Sequence, residues 1–97
     1  MEKDLTLTEL FDIYGGLLTE KQRELFSSVY LFDLSLSEIA EPRGTTRQSV
    51  YEQVKKVKQK LLNYENVLHI KEKNDKLKAL AIENPSVGEK ITKIIGE

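Results

Sequence analysis

Six apolar residues, Val50, Val54, Val57, Leu61, Tyr64 and Leu68, recur at steps of 4, 3, 4, 3 and 4. Only a helix gathers residues so spaced onto one stripe, because a strand repeats every second residue. The stripe is heptad-like for about two and a half repeats, so this single helix is long. Its first half must pack on a domain core. Its second half overruns that core and needs another cover. No useful stretch of the chain alternates with period two, so the expected fold class is all-α.

The other elements can be read from caps and shorter stripes. Leu7, Leu10, Phe11, Tyr14, Leu17 and Leu18 give a first helix over about 6–18. Gly15-Gly16 inside it costs about 1 kcal/mol per glycine relative to alanine, which suits close packing of another helix on bare backbone. No strand-helix context follows, so the pair carries no nucleotide signal. Thr19 with Gln22 forms a capping box opening a second helix, buried through Leu25, Phe26, Val29 and Tyr30 and ending near Asp33. Ser35 with Glu38 forms another, opening a very short helix with Ile39 and Ala40 that Pro42 and Gly44 stop. Thr45 or Thr46 caps the long helix. A break is expected at 70–75, then a fifth helix to about Ile82. Asn84-Pro85 punctuates, and Ser86 with Glu89 reads as a third capping box for a last helix bearing Val87, Ile91, Ile94 and Ile95.

Residues 35–62 thus read as short helix, tight turn, long helix, the order of parts in a DNA-binding helix-turn-helix. Ala40 suits a close helix approach, and Gly44 suits a positive φ in the turn. Ile39, Val50 and Val54 face inward. Arg47, Gln48, Tyr51, Glu52 and Lys55 project outward from the first turns. Arginine and glutamine are the types that read guanine and adenine, and lysine mostly meets phosphate. With Arg43, Thr46 and Lys56 they make the candidate contact set for double-stranded DNA. Charge follows the same division. Residues 1–42 sum to −6, 43–60 to +5 with Glu52 the sole acid, and 61–97 to zero. A basic element on an acidic remainder suits local contact with a polyanion.

Several classes of function drop out. The 97 residues suit one small domain, with no cysteine for disulfides or thiolate metal sites. His69 is the only histidine and has no ligand cluster around it, so neither a metal site nor catalysis is expected, and no cofactor is implied. The acidic N-terminus and the lack of a long apolar run argue against a signal peptide or membrane insertion, and a cytoplasmic location is the simplest expectation. Tyr14, Tyr30 and Tyr64 lie on apolar stripes and belong to core or interface. Tyr51 is the exposed one.

The expected organisation is a helix-turn-helix domain over 1–69 and a helical extension over 70–97. The apolar surface beyond the core has two readings. It folds back on its own last helices, or it pairs with a second subunit in a two-fold homodimer. The second would use Leu61, Tyr64, Leu68, Leu77, Leu80, Ile91 and Ile94.

Residues 7–69 resemble the YlxM family of small bacterial helix-turn-helix proteins. The resemblance rests on Leu17-Leu18-Thr19-Glu20-Lys21-Gln22, Ser37-Glu38-Ile39-Ala40-Glu41, Arg47-Gln48-Ser49-Val50-Tyr51, and Tyr64-Glu65 with Leu68-His69. It implies a fold similar to the promoter-contacting region 4 of sigma factors, a homodimer, and a regulatory role tied to the signal recognition particle pathway. The turn departs from the family pattern at Pro42, Arg43 and Thr45. Pro42 should end the short helix early. Either the turn is looser here, or Arg43 swings out to join the basic face. The competing class of function is a protein-interaction adaptor that keeps the helix-turn-helix as a scaffold.

Overall fold

A computed structural model describes residues 5–96. The first four residues and Glu97, counted in the charges above, lie outside them. Six α-helices follow in order: α1 Leu5–Tyr14, α2 Glu20–Tyr30, α3 Leu36–Ala40, α4 Arg47–Leu68, α5 Ile70–Glu83 and α6 Pro85–Ile95. There is no strand among the described residues.

Three starts follow from local chemistry. Thr19 and Ser35 each close a reciprocal capping box, with Gln22 and Glu38. Thr46 Oγ1 accepts from the Ser49 amide at 3.0 Å and opens α4. Two expectations fail. The first helix stops at Tyr14, and Gly15–Leu17 tighten into a 3₁₀ turn. A Cβ at Gly15 would first meet the Phe11 ring of the preceding helix, and one at Gly16 would meet nothing within 4 Å. Leu17, expected on the buried stripe, stands exposed. The Ser86 capping box does not form either. Pro85 occupies the first helical position and moves the cap two residues earlier, from Ser86 to Asn84.

Leu7, Leu10, Tyr14, Leu25, Phe26, Tyr30, Ile39, Ala40, Val50, Val54, Val57 and Leu61 belong to one core, with α1, α2 and α3 all packed on α4. Phe11, Phe26 and Tyr30 stack successively at 4.4 and 4.6 Å. Leu61, expected at a subunit interface, is 0% exposed. Its place in the chain's own core removes it from any such surface. Tyr64 is half-buried against the core, and its ring lies 5.9 Å from that of Tyr14.

The long helix breaks at one residue. His69 has φ 54°, and the sharp turn sends α5 back beside α1. Glu65 holds this corner. Its Oε1 accepts from Tyr14 Oη at 2.5 Å and from the Lys71 amide at 3.0 Å, and its Oε2 accepts from the Glu72 amide at 3.1 Å. Tyr14 Oη in turn accepts from the Ile70 amide at 3.1 Å. A carboxylate and a phenol therefore satisfy the orphan amides that begin α5. Lys71 Nζ adds ion pairs to Glu9 at 3.0 Å and Asp75 at 2.6 Å.

Beyond the corner, α5 and α6 form a hairpin. The chain has a radius of gyration of 16.3 Å and extends 54 Å along its longest axis. A compact chain of this length would measure roughly 12.5 Å, so the molecule is elongated. No residue of α5 is fully buried, and Gly88 alone is buried in α6.

The Glu65 corner sets a pH dependence. Burial pushes its carboxyl up, but the hydrogen bonds from Tyr14 and the Lys71 and Glu72 amides, with nearby His69, outweigh this and hold it below the ordinary 4.5. A depressed value means the charged form is favoured by folding. Its contribution is complete above pH 4.5 and is lost as pH falls through the lowered value. The Lys71 and Glu72 amide resonances are expected to titrate together below 4.5 and to stop titrating in Glu65→Gln. A midpoint at or above 4.5 would sink this account of the corner.

Candidate nucleic-acid interface

The helix-turn-helix is closed by short backbone bonds. The Arg43 and Thr45 amides both reach the Ala40 carbonyl at 3.2 Å, and the Gly44 amide reaches Glu41 at 3.1 Å. Gly44 has φ 64°, where a Cβ is disfavoured. Buried Ala40 lets α3 approach α4. Pro42 does coincide with an early stop, because α3 is only five residues long. The turn is hydrogen-bonded, however, and not looser.

Arg47, Gln48, Tyr51, Glu52, Lys55 and Lys56 all stand exposed on the first half of α4, away from buried Val50, Val54 and Val57. Thr46, Arg47, Gln48 and Tyr51 face Ser35, Leu36 and Ser37 across a cleft of about 610 Å³. The cap of α4 and the side chains of Arg47, Gln48 and Tyr51 therefore share one opening. Gln48 Nε2 donates to Glu52 Oε1 at 2.9 Å.

The basic block does not share one face. Arg43 lines a separate groove of about 650 Å³ with Glu20, Arg23, Glu24 and Phe32 of α2 and the following loop. It does not line the cleft that holds Arg47. Lys58 is half-buried with its Nζ 5.6 Å from the centre of the Tyr30 ring, within cation–π range. Lys60 Nζ points to Gln22 Oε1 at 3.5 Å. What remains on the outward face is Arg47, Lys55 and Lys56 against Glu52, three positive charges less one. The +5 of the linear stretch becomes +2 on the outward face of α4.

A short capped helix, a tight glycine turn and a longer helix with a polar outer face define a helix-turn-helix protein. The comparisons agree on the family. Residues 1–94 match the family model described as "Putative helix-turn-helix protein, YlxM / p13 like", and the chain belongs to this UPF0122 family. A UPF0122 protein of Clostridium kluyveri is 49% identical over 72 residues, covering 74% of this chain. The chain spans 65% of the length of that relative. One from Shouchella clausii is 42% identical over 83 residues, covering 86% of this chain and 76% of its own length. One from Bacillus thuringiensis is 39% identical over 102 residues, covering 98% and 93%. No helix among the described residues is long and apolar enough to cross a membrane.

Proposed function

We propose that the chain binds double-stranded DNA, with the first half of α4 in the major groove, and that it acts in transcription regulation. The observation that carries this is the exposed row Arg47, Gln48, Tyr51 and Lys55 on α4, outside a closed and capped helix-turn-helix. Arg47 and Gln48 reach base edges, Lys55 and Lys56 meet phosphate, and the capped N-terminus of α4 adds amide dipoles. A modest net charge keeps non-specific binding weak.

In the same proposal the α5–α6 hairpin joins two copies. Ile70, Leu77 and Leu80 lie about a quarter turn from the line of Asn74, Lys78 and Ala81 that faces α6. Val87, Ile91 and Ile94 lie about a quarter turn from Gly88, in the same rotational sense. In antiparallel helices those flanks fall on one side. Leu77 is 38%, Leu80 47%, Val87 48% and Ile94 82% exposed. Leu68, 42% exposed, adds apolar surface at the hinge. A second copy covering this face would present two recognition helices to successive major grooves.

A salt titration of binding to mixed-sequence duplex tests the proposal. Arg47→Ala and Lys55→Ala are each expected to weaken binding, and Lys55→Ala, which removes a phosphate contact, to flatten the salt dependence by about one unit per copy. Binding that stays millimolar at low salt and ignores both substitutions would instead favour an adaptor role. The groove that carries Arg43 and exposed Phe32, with two acids and two arginines, favours that second reading. Its partner would be a protein or a ribonucleoprotein such as the signal recognition particle, the pathway to which we attach either role.

A further inference from the structure

Glu52 is the sole acid between residues 43 and 60, and it stands in the middle of the outward face of α4. An acid there repels phosphate, so it weakens general affinity for any duplex. Its contact with Gln48, one helical turn away, has a second consequence. Glu52 Oε1 takes one N–H of the Gln48 amide at 2.9 Å. A carboxylate accepts and never donates, so the amide group of Gln48 is turned toward it along the helix and the Gln48 oxygen is turned away. Glu52 Oε2 and Gln48 Oε1 are left as acceptors.

We propose that Glu52, oriented with Gln48, is the specificity-determining residue of this face and reads the exocyclic amine of a cytosine in the major groove. The inference rests on the DNA-binding proposal above and names which base that face selects. Major-groove chemistry narrows the choice. Thymine offers an acceptor and a methyl group where cytosine offers an amine donor, and guanine offers two acceptors. Each sets a lone pair against the carboxylate. Adenine has an amine but places its N7 acceptor beside it. In a base pair the cytosine amine has an acceptor on one side only, the O6 of its partner guanine, whereas the adenine amine is flanked on both sides, by its own N7 and by thymine O4. Arg47, nearer the start of the helix, is then free to take an adjacent guanine.

Parallel selection of bound duplexes from a random pool, with the full chain and with Glu52→Ala and Glu52→Gln, tests this. Glu52 is exposed, and matching circular dichroism spectra confirm that the variants fold. The native chain is expected to enrich cytosine at one position of each half-site. Glu52→Ala should lose that position alone, with discrimination against thymine falling roughly 5- to 100-fold and binding to unselected duplex strengthening. Glu52→Gln, which can also donate, should admit thymine there. Cytosine enrichment that survives Glu52→Ala would overturn the inference and leave Glu52 as an electrostatic brake. If the native chain retains no duplex at low salt, the DNA-binding proposal itself fails and takes this one with it.

Discussion

Gly88→Val is expected to leave the α1–α4 core folded and to open the α5–α6 hairpin. A Cβ on Gly88 would lie 2.3 Å from the Ala81 carbonyl oxygen and 3.0 Å from its carbon. Those atoms are backbone, so no rotamer change relieves the contact and the helices must separate. Helix propensity works the other way. Replacing a mid-helix glycine by alanine favours an isolated helix by about 1 kcal/mol. Forcing a side chain into a filled contact costs about 1–3 kcal/mol or more, and the hairpin has little buried surface to absorb it. Gly88→Ala is therefore also expected to destabilise, less than valine does. Hydrogen exchange should show α6 amides losing protection in Gly88→Val while those of α4 keep theirs. On the proposed pairing through the hairpin, sedimentation at two concentrations should show the variant as a monomer and the native chain as a dimer. Full protection of α6 in Gly88→Val would disprove the close approach of the two backbones.

Leu61→Ala has the larger expected effect on global stability. The side chain is fully buried where α4 meets the core. Such truncations cost about 2–5 kcal/mol, from lost transfer energy and the cavity left behind. Domains of this size hold only about 5–15 kcal/mol in total. Each kcal/mol moves the midpoint by about 4–8 °C at this length, so a drop of at least about 8 °C is expected in a thermal melt. If Leu61 instead served a subunit contact, the loss would depend on protein concentration. A shift of only a few degrees that vanishes on dilution would contradict its place in the core.

These two positions show what sequence alone conveys. The caps at Thr19, Ser35 and Thr46 were legible because capping couples residues three apart. The 4-3 spacing on α4 was legible for the same local reason. It could not say where the core ends. The apolar stripe continues without change of character from Leu61 to Leu68, yet Leu61 is buried and Leu68 is 42% exposed. Only the path of α1 decides that. Gly88 read as part of a capping pattern, because its contact with Ala81 exists only after the chain turns at Asn84 and Pro85.

The candidate interface shows a similar limit. The outward row on α4 follows from helix period, so Arg47, Gln48, Tyr51, Glu52 and Lys55 were legible. The destinations of Arg43, Lys58 and Lys60 depend on where α2 lies, and a linear charge count cannot supply that. The Glu65 corner escaped altogether. Tyr14 and Glu65 are 51 residues apart, and nothing local links a phenol on one stripe to a carboxylate beside another. The nearest signal was the Tyr64-Glu65 pair at the end of the heptads, whose polar member had no assigned partner.

The central claim is that the first half of α4 is the surface that meets a duplex. The most direct measurement is a map of amide chemical shifts as duplex DNA is added to the full chain. Shifts are expected at residues 46–56 and at Ser35–Ser37 across the cleft, with the hairpin tip near Asn84 unmoved. Shifts confined to the groove of Arg43 and Phe32, or none at all at low salt, would contradict it.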